Sequence, residues 1–446
     1  MQLRTRILVS RNIHQVPMLP SPCAPCQSRA ALNPKIHMAI RLFHNPSRGY
    51  SAWSTIASKI AAKGFNRVSN REMLIDPLRP VAKEMKLLIG SMTKLLDSGH
   101  PSLGRVAKYY TGDESKHIRP LIVLLIARAA SLCPKEPRPP PTQTSQGVNS
   151  DSSSFGILEN VNSDCPLAGT HTTDPPKADD EILPSHRRLA EITELIHAAF
   201  LLHNDVIDYS VSGGRSPSAN FESTNTMSVL AGNLLLGRAS VALASLGNAE
   251  AVELLATVIA NIVEGEFMHL EDRALAERSP KWSEALLSYY LQKAYLRTAS
   301  LISKSCRASA LLSGVGGASV DASYYYGKNI GLAVQLMDDV LAYKSADTKL
   351  VKLTGAGLKL RLPTAPFLLA WKTTPELGAF VERNFEEDGD VPRAWELILK
   401  SDGIEKTYVL AQGYIEKAIS AIDGFPSSIA KDGLINIAVK VINKQK

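Results

Sequence analysis

The chain is poor in the features that mark several protein classes. It has five cysteines in 446 residues, Cys23, Cys26, Cys133, Cys165 and Cys306, too few and too scattered for a disulfide framework. Only 6% of residues are aromatic, and no stretch of alternating apolar and polar residues is long enough to build a sheet. Apolar runs are broken by charge, as where Arg238 interrupts 229–247, so none reaches the ~18 uninterrupted residues of a membrane helix. Acid is missing from the start: residues 1–71 hold eleven Lys/Arg, and the first acid is Glu72. The formal charge of +7 belongs to that block, because the remaining chain has 39 basic against 43 acidic residues. A basic nucleic-acid-binding surface is therefore not expected.

What is present is helical. From Asp76 onward, apolar residues recur at three- and four-residue spacing over 76–98, 102–110, 118–133, 186–208, 225–246, 249–276, 282–314, 319–343, 363–384, 391–400, 403–422 and 427–443. The expected fold class is all-α, one large domain over 72–446. Residues 134–185 break the pattern: Pro-Arg-Pro-Pro-Pro at 137–141 is followed by Ser, Asn, Asp and Thr, and so little apolar surface predicts a disordered insertion. Residues 1–50, rich in Arg, Ser and Ala with an amphipathic stretch at Ile36–Phe43, have the composition of a mitochondrial transit peptide. Arg48-Gly49-Tyr50-Ser51 fits a matrix-processing site cut after Tyr50. The alternative is a basic tail that binds anionic surfaces. Cys23-Ala-Pro-Cys26 has one half of a zinc-knuckle spacing and no second pair.

Two helices carry clustered oxygen ligands. In Glu191–Asp208, Asn204 and Asp208 lie four residues apart on one face, beside Asp205. In Gly331–Tyr343, Asp338 and Asp339 follow Gln335 by one turn. Carboxylates in apolar helical sequence are costly to bury without a cation, so two such helices suggest a divalent metal between them; solvated helix ends are the plainer reading of either alone. Lys116 and Arg119, in Ser-Lys-His-Ile-Arg-Pro, suit a diphosphate, although the same run reads as a helix start with Pro120 in its first turn.

The ordered motifs SKHIRPLIVLL, ELIHAAFLLHNDVID, VEGEFMHLED, YLRTASLISKSCRASALLSG and GLAVQLMDDVLAY resemble those of the trans-prenyl diphosphate synthases, most of all the mitochondrial polyprenyl, hexaprenyl-type synthases of fungi. The resemblance runs from about Pro77 to the C-terminus. It implies an isoprenoid-synthase-type helical bundle around a central cavity, in which isopentenyl diphosphate is added to an allylic prenyl diphosphate. It implies Mg²⁺ held by Asp205, Asp208, Asp338 and Asp339. Lys116, Arg119 and His197 match the isopentenyl diphosphate ligands. Thr298, Gln335 and Lys352 match residues around the allylic diphosphate, and Arg297 stands where the family has Lys. The implied partners are a second synthase chain, as homodimer or heteromer, and a peripheral membrane surface.

The sequence departs from the family at the same site. Asn204 replaces the leading Asp of the first acidic motif, and Ala342 the last Asp of the second. Gly213-Gly214-Arg215 stands for Arg-Arg-Gly, leaving Arg215 as the remaining cation there. Asp113-Glu114-Ser115 replaces glycines, His269 a Gln, and Gly357 an Asp. Each charge-assisted hydrogen bond lost costs about 1.5–3 kcal/mol. Three functions fit: an active prenyltransferase, a non-catalytic subunit of a heteromeric synthase, or a terpene-synthase-like enzyme that ionises an allylic diphosphate without elongating it. Retention of Lys116, Arg119 and His197 speaks against the third.

Overall fold

In the computed structural model the described residues are 76–95, 117–136, 182–211, 225–271, 281–345 and, apart from 384, 386 and 388, 364–443. Chain contacts separate Met1–Pro46 from Ser47–Lys446, and all described residues fall in the second unit. The expected leader, the expected helix at 102–110 and most of the expected insertion thus lie outside the described residues.

Among the described residues the fold is helical, with a single isolated antiparallel bridge, Lys135 to Val315. The helices are α1 (Ala82–Leu95), α2 (Ile118–Ser131), α3 (Pro184–Val211), α4 (Asn225–Ala244), α5 (Ala249–Glu271), α6 (Glu284–Ala294), α7 (Ser300–Leu312), α8 (Gly317–Ser345), α9 (Ala365–Trp371), α10 (Glu376–Glu382), α11 (Asp390–Lys400), α12 (Gly403–Ala421) and α13 (Ile429–Ile442). The ends of the expected insertion belong to this core: Lys135 makes the bridge, Ile182 is buried, and α3 already begins at Pro184.

Helix α2 is apolar on every side and is buried on every side, with Leu121 through Ala127 inside the protein. It packs on α3, α7 and α13. Helix α4 is long and apolar enough by length and composition to cross a membrane, yet Ala231, Leu235 and Ala239 sit in the protein core against α3. Helix α8 makes its broadest contact with α12 and crosses α7 closely; a Cβ at Gly327 would fall 2.7 Å from the Ser303 Cα, so only glycine permits that approach.

Two long periodic segments are subdivided. Within 282–314 the turn Tyr295–Ala299 is a π-helix, with the Ser300 N–H bonded to the Tyr295 carbonyl, because one extra residue is accommodated between α6 and α7. Within 363–384 the chain breaks between α9 and α10, where Pro375 has no N–H to continue the ladder.

Candidate active site

Arg119 lies in the first turn of α2, and Glu194 and His197 lie three residues apart on one face of α3. Glu194 is buried, and its Oε1 pairs with the Nδ1 of buried His117 at 3.2 Å. Burial works to raise the Glu194 pKa, but His117, His197 and Arg119 more than offset it and hold the carboxyl below its ordinary value. Burial also draws the Arg119 guanidinium down, opposed by Glu194 and by Asp338 of α8. The structure thus brings Arg119, His197 and Asp338 into one electrostatic neighbourhood. His117 and Glu194 complete that neighbourhood and were missed by sequence reasoning, although His117 stands inside the Lys-His-Ile-Arg run and Glu194 one turn before His197.

The second group is built around the π-helix. Its widened turn sends the adjacent Arg297 and Thr298 to different helices. Arg297 Nε donates to Glu266 Oε1 of α5 at 2.7 Å. Asn204 Nδ2, on α3, donates to the same oxygen at 3.1 Å. Thr298 Oγ1 donates to Gln335 Oε1 at 2.8 Å, and Gln335 Nε2 donates to Asp339 Oδ1 at 3.3 Å. Asp339 Oδ2 accepts from the Tyr290 hydroxyl at 2.6 Å and from the Ala365 N–H at 3.1 Å. Burial and the two carboxylates Asp339 and Asp338 push the Tyr290 pKa well up, so the phenol stays a proton donor. Glu266 and Tyr290 are the other side chains sequence reasoning missed; Glu266 was visible only as the second half of the Gly265-Glu266 pair.

The side chains of Asp205 and Asp208, and the residues Lys116, Gly213, Gly214, Arg215, Lys352 and Gly357, lie outside the described residues. Among the described residues no three His, Cys, Asp or Glu side chains gather as a metal site. The donors that are described suit a hard divalent cation nonetheless: Asn204 Oδ1 is a buried amide oxygen with no hydrogen-bond partner among them, and Asp338 of α8 is a carboxylate within electrostatic reach of Arg119.

A helical bundle that gathers cations, carboxylates and amide oxygens into one region defines a class of protein that handles diphosphate esters with a metal. The chain matches the polyprenyl synthetase family model over residues 163–398 and belongs to that family of prenyltransferases, whose members depend on a divalent metal. It is 56% identical over 424 residues to the probable mitochondrial hexaprenyl pyrophosphate synthase of Neurospora crassa, covering 93% of each chain. It is 42% identical over 366 residues to decaprenyl-diphosphate synthase subunit 1 of Schizosaccharomyces pombe, covering 82% of this chain and 90% of that one. The polyprenyl synthase of Caulobacter crescentus, solved with calcium and isoprenyl diphosphate, shares the fold with a TM-score of 0.62 at 24% identity, over 85% of this chain and 100% of that one. The location read from the acid-free leader agrees with its relatives: the protein is mitochondrial.

Proposed function

We propose that the chain condenses isopentenyl diphosphate with an allylic prenyl diphosphate to make a polyprenyl diphosphate, the precursor of a quinone side chain. The observation that carries this reading is Arg119, whose charge is felt by both Glu194 and Asp338. One cation thereby links the isopentenyl diphosphate side, with Lys116 and His197, to the acidic helix on the allylic side. In the reaction the allylic C–O bond breaks, the isopentenyl double bond forms the new C–C bond, and loss of a proton restores an alkene. Arg119, His197 and Lys116 bind the isopentenyl diphosphate. Arg297, Lys352, Thr298, Gln335 and Arg215 surround the allylic diphosphate, and apolar residues of α3 keep water away. Mg²⁺ is the metal proposed, held by Asp205, Asp208 and Asp338, and by Asp339 through lone pairs its protein partners leave; when bound it supplies Lewis-acid stabilisation of the leaving diphosphate.

A second reading is favoured by Asn204 and Ala342, which remove two carboxylates: a subunit that supports an intact synthase. The Schizosaccharomyces pombe relative bears the name subunit 1, and Leu230 of α4 with Phe267 of α5 offers exposed apolar surface to another chain. The purified chain, given Mg²⁺, labelled isopentenyl diphosphate and a farnesyl or geranylgeranyl primer, separates the two. Elongation by the chain alone supports the enzyme; elongation only as a boost to an added intact synthase supports the subunit. Processing after Tyr50 predicts a mature N-terminus at Ser51, read by N-terminal sequencing from mitochondria.

A further inference from the structure

Glu266 has no role in the reading above, yet it joins three elements. One of its oxygens accepts from Arg297 of the π-helix and from Asn204 near the end of α3, while Glu266 itself belongs to α5. The neighbouring Gly265 makes the crossing possible, since a Cβ there would lie 2.6 Å from the Arg297 Cγ. From this geometry we infer that Glu266 is a positioning residue tying the first acidic helix to Arg297, and that Asn204 makes the tie independent of a divalent cation. An aspartate at 204 would put a second carboxylate in the place from which the amide now donates at 3.1 Å. Arg297 neutralises one carboxylate, so two at that separation repel each other unless a further cation or a proton lies between them. The amide needs neither, because it offers an N–H to Glu266 and leaves Arg297 paired with the same oxygen. The arrangement of α3, α5 and the π-helix is thus complete before metal or diphosphate arrives. The departure at 204 exchanges a carboxylate for an amide that gives its N–H to Glu266 and keeps a neutral oxygen.

The inference rests on the position of Asn204 and on no turnover, so its test is thermal and stands apart from prenyl transfer. The full chain is melted in EDTA and in excess Mg²⁺, without diphosphate. Wild type is expected to melt at the same temperature in both. Asn204→Asp is expected to melt roughly 3–6 °C lower in EDTA, and to recover in Mg²⁺. Adding Glu266→Gln to Asn204→Asp restores a donor and an acceptor with reversed polarity, and should bring the EDTA melting temperature back to near that of wild type. Equal melting of Asn204→Asp and wild type in EDTA overturns the inference, as does an Asn204→Asp that gains no more from Mg²⁺ than wild type does. If Asn204→Asp fails to fold in EDTA, the double variant decides: folding there supports the tie, and failure overturns it.

Discussion

The two halves of the site are built on different principles. On the α2–α3 side, Arg119, His117 and His197 surround the buried Glu194 and hold its carboxyl below its ordinary pKa. On the side of α5, the π-helix and α8, two carboxylates are already engaged by protein groups: Glu266 by Arg297 and Asn204, Asp339 by Tyr290, Gln335 and the Ala365 N–H. The first half gathers hydrogen-bond donors, Arg119 among them, about a single carboxylate. The second spends its acids on holding the protein together. Diphosphate capture and metal capture can therefore drift apart, because they answer to different charge balances even though α3 carries residues of both.

The sharpest test of this contrast is Asp339→Ala. It leaves the Tyr290 hydroxyl and the Ala365 N–H without their buried acceptor, and should lower stability by roughly 3–5 kcal/mol in metal-free buffer. Chemical denaturation measures it; a loss seen only in the presence of Mg²⁺ would make Asp339 a plain metal ligand. Acid probes the histidines next. His186 accepts from the Leu183 N–H and bonds the Ser309 carbonyl, and burial lowers its pKa to about 4. Below pH ~6.5 the unfolded chain takes up a proton that the folded chain refuses, so stability falls between pH 6.5 and about 4, by about 3 kcal/mol in all. Urea midpoints across that range should flatten in His186→Gln; if they do not, another group sets the acid limit. Arg119→Met should weaken isopentenyl diphosphate binding about 10–150-fold, the worth of a charge-assisted hydrogen bond, by calorimetry. An unchanged affinity would break the assignment of that half. The smallest expected effect is on product length. Phe200, buried one turn before Asn204 and edge-on to His203, fills space beside the first acidic helix. If that space is where a growing prenyl chain would extend, Phe200→Ser should lengthen the product by about one isoprene unit, read by chromatography; an identical product distribution would show that Phe200 does not limit the chain.

The sequence made the helices legible because burial follows their apolar periodicity, as in α11, where Val391, Ala394, Trp395 and Ile398 are the buried apolar residues. It also singled out Arg119, Gln335 and Asp338 from the residues around them, whereas His197 and Thr298 entered only through the resemblance to the trans-prenyl diphosphate synthases. It did not reveal the π-helix, because an extra residue between α6 and α7 leaves apolar periodicity nearly intact on both sides. Nor did it separate Asp338 from Asp339. Adjacent residues on a helix point about 100° apart, and only packing shows that one meets Tyr290 while the other faces Arg119. Glu194 and Glu266 stayed hidden for a related reason: their meaning comes from partners 77 and 31 residues away.

The π-helix also sets a phase. Tyr295–Ala299 holds one residue more than a regular turn would, and α7 inherits its rotation about the helix axis from that surplus. Deleting any one residue of the five would let an ordinary helix run straight through and turn one flank by about 100° relative to the other. Thr298 and Arg297 could then no longer reach Gln335 and Glu266 together. A substitution at either position costs one hydrogen bond, whereas a single deletion uncouples both at once, so insertions and deletions in this turn carry consequences that no change of side chain reproduces.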